Sequence, residues 1–239
     1  MTPDVTTKLG DLVLARPEAM RYFEGLGLDY CCGGHRGLGQ ACAEAGLDAG
    51  SVLAGLTALE PPAKGTPDPG AWMEAPLETL TGHIVAAHHE YLRRELPRLK
   101  GLLGKVQAAH GERHPELGRV AELFLALEAD LLPHLMKEEQ ILFPFIVRME
   151  HGELGGACFG TVQGPIRVME MEHENVGAML AELRALTGAY MAPADGCATF
   201  RALYAGLAEM EQDLHLHITL ENQILHPRAK AMEAALAGC

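Results

Sequence analysis

The chain has 239 residues, a formal net charge of −13, and 48% hydrophobic but only 5% aromatic residues. That apolar fraction supplies a core, so a disordered chain is excluded, and the length suits one large domain or two small ones. An acidic chain without a basic stripe does not bind by neutralising phosphates, which excludes nucleic acid and anionic membrane surfaces as expected partners.

No stretch reaches the roughly 18 apolar residues of a membrane span, and Met1 to Gly10 lacks a basic region followed by an apolar one, so a soluble, cytoplasmic protein is expected. Six cysteines are too sparse for a disulfide scaffold. In a reducing compartment the adjacent Cys31 and Cys32 are expected as thiols. Cys42, Cys158, Cys197 and Cys239 carry no motif spacing and read as ordinary cysteines.

Leu and Ala dominate while β-branched and aromatic residues are few, which favours an all-α fold. From the N-terminus, short helices are expected around Leu9 to Ala15, Pro17 to Leu26, Leu38 to Ala45 and Ala49 to Leu59. Cys31-Cys32-Gly33-Gly34 falls in a loop shortly before a helix start, where the helix dipole would favour thiolate and suit redox or metal-handling chemistry. The run from Pro61 to Gly70 removes backbone donors and relaxes the chain, so no helix should cross it. The expected organisation is a small helical unit over 1–60, a linker over 61–71 and a larger unit over 72–239.

The larger unit contains a repeat. Residues Glu128 to Pro144 (EADLLPHLMKEEQILFP) align without gaps with Glu211 to Pro227 (EQDLHLHITLENQILHP), with nine of 17 positions identical. His134 and Glu138 thus correspond to His217 and Glu221, 83 residues on. A second pair at nearly the same offset is His89-Glu90 and His173-Glu174. The pattern predicts two helical hairpins, each with one His on its first helix and His-x-x-x-Glu on its second, forming an up-down-up-down four-helix bundle. Pro144 and Pro227 are expected to end or kink their helices.

Helical phase turns these polar residues inward, because positions three or four apart share a face. One stripe is Leu127, Leu131, His134, Glu138, Ile141 and Phe145; another is Leu207, Met210, Leu214, His217, Glu221 and Ile224. His89 lies with Val85, Leu92 and Leu96, and His173 with Met169, Val176 and Leu180. An isolated carboxylate on such a face costs several kcal/mol of desolvation, which a bound cation offsets. Imidazole with carboxylate suits non-haem iron, manganese or zinc, and the doubled pattern provides for two ions. Asp130 and Asp213, one turn before His134 and His217, are placed to accept the other ring N–H of those ligands. His88 falls about 100° around the helix from His89, off the ligand face. His83, His110, His114, His151, His215 and His226 read as solvated or supporting histidines, and Glu90, Glu139, Glu172 and Glu174 as surface or access-path charges.

On these residues the larger unit resembles the hemerythrin-like domains. Joined to Asp29-Tyr30-Cys31-Cys32-Gly33-Gly34, the chain resembles the iron–sulfur cluster repair di-iron proteins. Gly37 stands where a Thr is common in that family, and His226 where a Phe is expected before Pro227. The resemblance implies two non-haem iron ions in an oxo- and carboxylate-bridged centre held by His89, His134, Glu138, His173, His217 and Glu221, with the two Glu bridging. It implies repair of iron–sulfur clusters damaged by nitric oxide or oxidative stress, by donating iron or by reacting with nitric oxide. Cys31 and Cys32 would serve as a redox or iron relay, and the linker would let a damaged client protein approach. The chain would act as a monomer or homodimer, as a repair factor more than as an enzyme. Two readings compete: an oxygen- or nitric oxide-binding sensor without repair activity, and a metal-free or zinc-stabilised structural bundle.

Overall fold

The computed structural model describes residues 3–62, 65–153 and 160–237, and every described element is helical apart from one isolated bridge between Lys8 and Gly37. Cys158 and Cys239 lie outside the described residues. The first four helices are α1 (Leu9–Ala15), α2 (Glu18–Leu26), α3 (Leu38–Glu44) and α4 (Ala49–Thr57), within three residues of the expected boundaries. Gly27, at φ 68°, takes the left-handed turn that ends α2. Asp48 starts α4 by accepting the Ser51 backbone N–H at 2.8 Å.

The proline-rich segment ends in a short 3₁₀ turn, Pro69–Trp72, opened by Asp68 accepting from the Gly70 N–H at 3.0 Å. This turn lies against α1, where a Cβ on Gly70 would sit 2.3 Å from the Leu14 carbonyl oxygen. The chain then forms α5 (Leu77–Ile84), α6 (Glu90–His110), α7 (Glu116–Lys137), α8 (Phe143–Glu150), α9 (Gln163–Leu186), α10 (Ala198–Thr219) and α11 (His226–Ala237).

Helices α5 and α6 are one rod joined by a π-helical turn, Val85–His89; α7 joins α8 through Glu138–Leu142, and α10 joins α11 through Leu220–Leu225. Two of these wide turns directly precede Pro144 and Pro227. Proline lacks an N–H and its ring collides with the carbonyl four residues back, and widening the helix absorbs both defects. Of the two outcomes expected at these prolines, an end or a kink, the helices do not end: the chain stays helical through both, across a local π-helical widening. The inserted residue also shifts the phase: Ile141 is 47% exposed, and Leu142, at 1%, takes its place inside.

Two apolar cores result. One contains Leu92, Leu131, Val176, Leu214 and Ile218, and extends without a break into Leu9, Phe23, Tyr30 and Leu56 of the first four helices. The other contains Leu80, Ile84, Leu142, Met169 and Ile224. Each rod contributes to both cores, through Leu80 and Leu92, Leu131 and Leu142, Met169 and Val176, and Leu214 and Ile224, and the His and Glu residues singled out by the repeat lie between. The N-terminal unit is thus packed on the bundle through shared core, and its backbone is tied there as well: the Cys31 carbonyl accepts from Gln223 Nε2 at 3.1 Å and Asn222 Nδ2 at 3.3 Å.

Candidate metal centre

Each rod brings one or two polar side chains to the layer between the cores. His89 ends the first π turn, His134 lies in the last turn of α7, Glu138 opens the second π turn, His173 sits mid-α9, His217 lies in the last turn of α10, and Glu221 is in the third π turn. All six are at most 3% exposed. Their donor atoms form two groups, His89–Glu138–His217–Glu221 and His134–Glu138–His173–Glu221, each within 4.8 Å. Both carboxylates belong to both groups, and the histidines pair across the hairpins.

The geometry is hard to sustain without cations. His89 Nε2 faces His217 Nε2 at 3.3 Å, and His173 Nε2 faces His134 Nε2 at 3.1 Å. The carboxylate oxygens approach these nitrogens at 3.0–3.4 Å, yet no N–H is aimed at them and all four oxygens of Glu138 and Glu221 lack a hydrogen-bond partner. On three of the rings the remote nitrogen is already committed as donor: His89 Nδ1 to Glu139 at 2.6 Å, His134 Nδ1 to Glu172 at 2.8 Å, and His173 Nδ1 to Asn222 Oδ1 at 2.9 Å. That fixes the tautomer and turns the Nε2 lone pairs inward. Lone pairs and two carboxylates converging in a dry layer leave room for positive charge only, and the donor set fits divalent metal.

Without metal, protons take that role. Burial alone would lower His134, but Glu138 and Glu221 outweigh it and raise it to about 9. Burial would raise Glu221, but His217 and His173 hold it well below the ordinary carboxylate range. Burial dominates for His217, which is lowered.

The supporting residues differ from the expected ones. Asp130 is exposed on α7, and Glu172 of the facing helix α9 takes the His134 N–H instead. Asp213 binds His88 Nδ1 at 2.8 Å, while His217 Nδ1 has no partner. His88 is buried and stacks on His217, centroids 5.5 Å apart and planes 8° apart. His226 is also buried, stacked 6.0 Å from His173 with neither ring nitrogen hydrogen-bonded, and burial lowers it to about 4. The sequence did hold a signal for the supports: Glu139 and Asn222 occupy equivalent positions of the repeat and hold the equivalent histidines His89 and His173.

These supports set a testable magnitude. Glu172→Ala frees the His134 ring and should weaken metal binding about 10- to 100-fold. Asp130→Ala should leave it unchanged; equal losses in competition titrations with a metal-binding dye would contradict this arrangement.

Cys31 and Cys32 flank the same layer. Their sulfurs are 3.9 Å apart and unbridged, and Cys32 Sγ donates to the His173 carbonyl at 3.3 Å. Through its carbonyl, Cys31 is joined to Asn222, the residue that holds His173. The hydrogen bond from Cys32, burial and the nearby Asp29 charge push the Cys31 thiol well up, so the thiolate expected there is corrected to a protonated thiol. Both cysteines line a cavity of about 340 Å³ with Tyr30, Gly177, Arg184 and His215.

Comparison with known proteins extends this picture. Residues 81–229 match the hemerythrin HHE cation-binding domain, and residues 5–60 match a domain of unknown function, DUF542. The iron–sulfur cluster repair protein YtfE of Edwardsiella ictaluri is 40% identical over 222 residues, covering 92% of this chain and 95% of that protein. The YtfE protein of Musicola paradisiaca is 40% identical over 229 residues, covering 95% and 97%, and that of Citrobacter koseri 36% identical over 225 residues, covering 94% and 97%. Among the described residues no helix is long and apolar enough to cross a membrane.

Proposed function

Because the chain belongs to the hemerythrin HHE cation-binding family and, along nearly its whole length, to the YtfE iron–sulfur cluster repair family, we propose that it is a di-iron protein that repairs iron–sulfur clusters damaged by nitric oxide or oxidative stress. His89 and His217 would hold one iron and His134 and His173 the other, with Glu138 and Glu221 bridging. The observation that carries this reading is the convergence of imidazole lone pairs and two unpartnered, fully buried carboxylates on two adjacent points. When bound, two irons supply redox chemistry and an affinity for small diatomic molecules. The chain's own residues do the rest: Glu139, Glu172 and Asn222 orient the imidazoles, and the two apolar cores keep water from the centre.

The organisation that serves this is the unit over 1–60 joined through 61–71 to that over 72–239. The damaged client protein is the partner, and Cys31 and Cys32 form the redox or iron relay. Their support is position, on a cavity wall and one carbonyl from His173.

The decisive assay uses a purified iron–sulfur enzyme inactivated by nitric oxide and incubated anaerobically with the iron-loaded protein. Wild type should restore client activity, and Cys31→Ala, Cys32→Ala should restore at most a tenth as much while retaining its iron. Recovery no better than with free ferrous iron would refute repair; full recovery by the cysteine variant would remove the relay role.

A further inference from the structure

Away from the bundle centre, two histidines, an aspartate and a cysteine meet where α6 ends and α10 begins. His110 is the last residue of α6 and His114 follows one turn later, about 30 Å along the rod from His89 at 1.5 Å per residue. Asp195 and Cys197 come from the loop before α10, with Cys197 as its N-cap. The loop is closed by Gly196, whose N–H donates to the Pro193 carbonyl at 2.8 Å and whose carbonyl accepts from Arg201 at 2.6 Å. A Cβ on Gly196 would lie 2.9 Å from that Pro193 oxygen, so this turn requires glycine. Both histidines pack edge-on against the fully buried Phe200, at 5.3 and 5.4 Å.

The donor atoms of His110, His114 and Asp195 lie within 4.8 Å of one another. His114 sits between two carboxylates, with Nδ1 3.1 Å from Glu116 Oε1 and Nε2 3.1 Å from Asp195 Oδ1, which accepts. His110 Nδ1 is likewise an acceptor, receiving Arg113 Nη2 at 3.3 Å, and Arg113 Nη1 also reaches Asp195 Oδ2 at 3.2 Å. The His110 lone pair, the Asp195 carboxylate and a His114 nitrogen whose proton an ion would replace therefore converge, and the positive charge facing them is a guanidinium whose side chain is 60% exposed and free to swing into solvent.

We propose that His110, His114 and Asp195 form a second site for a divalent transition-metal ion of the zinc or ferrous type, with Arg113 as its displaceable occupant. Two imidazoles and a carboxylate on one side of an ion form a facial set with open positions. The site stands apart from the di-iron reading, since it shares no residue with the bundle centre.

Cobalt(II) is the probe. Titrated anaerobically into the iron-loaded protein, with iron and cobalt both counted after desalting, it should add one cobalt per chain and produce visible d–d bands. Asp195→Asn and His114→Ala should each weaken that binding roughly 100-fold with bundle iron unchanged, and Arg113→Ala should tighten it. The same cobalt should bind to Glu138→Leu, Glu221→Leu, which separates this site from the bundle centre. No cobalt beyond the bundle's metal in wild type and in Arg113→Ala, or equal affinity in Asp195→Asn and His114→Ala, overturns the proposal.

Discussion

Replacing Glu138 and Glu221 together by leucine should strip the bundle centre of both metal ions, yet leave the metal-free protein no less stable than metal-free wild type at pH 9. The first effect follows from geometry, because both carboxylates serve both donor groups. The second follows from desolvation: two fully buried carboxylates are costly, and well-packed apolar replacements of similar volume are often neutral or stabilising. The pH must be stated because protons substitute for metal. His134, raised to about 9 from an ordinary 6.5, contributes stability that is complete below pH 6.5 and is lost as pH rises through 9. Glu221, held low, contributes stability present above 4.5 and lost as pH falls through its folded-state value. Burial lowers His217 and His226, which costs stability as pH falls below 6.5, so metal-free wild type should be most stable near pH 6.5 and weaken towards pH 9, whereas the variant should show a flatter profile above pH 6.5. With Asp195→Asn added to both chains to remove the second site, metal at a thousand times its dissociation constant for the bundle centre should restore about 4 kcal/mol to the chain with both carboxylates and nothing to the one without them. Thermal melts with and without chelator measure all of this. A variant that retains two metals, or a metal-free wild type whose stability rises from pH 6.5 to 9, would contradict the arrangement.

The same centre separates what the chain makes legible from what it hides. The repeat gave six residues that the fold brings into one dry layer, because helical period and a fixed offset are one-dimensional properties. What escaped depends on neighbours across the bundle. Asp130 shares a helix with His134 and sits one turn away, but the ring points across to α9, where Glu172 waits. His88 stands outside both donor groups, and nothing local in the sequence indicates that Asp213 fixes it against His217. Ile141 was assigned inward by an ideal period that the π turn before Pro144 breaks. Position near a helix start suggested thiolate at Cys31, while burial and Cys32 decide for the thiol. Among the described cysteines Cys197, with no motif around it, is the one lowered, to about 7, first by the Phe200 backbone N–H and then by His110 from another helix.

Arg184→Met should destabilise the protein by about 3–5 kcal/mol, the largest effect expected from a single substitution outside the metal layer. Glu211, the repeat partner of Glu128, is 1% exposed on α10, and its carboxylate is gripped by the Arg184 guanidinium, whose Nε donates at 3.2 Å. Glu128 itself pairs with an exposed Lys100, so the two halves of the repeat use the same residue differently. Arg184 is half-buried, also covers the Tyr190 ring at 5.5 Å, and lines the cavity that carries Cys31 and Cys32. Removing it leaves an uncompensated charge in the core, and most of the cost lies in that orphaned carboxylate. The double variant Arg184→Met, Glu211→Leu should therefore recover most of the loss, a coupling of a few kcal/mol in a double-mutant cycle by urea denaturation. Additive losses would mean that the pair matters through packing alone. Recovery would mark Glu211 and Arg184 as a clamp between α9 and α10, the two helices that carry His173 and His217 to the centre and hold the wall against which the two thiols rest.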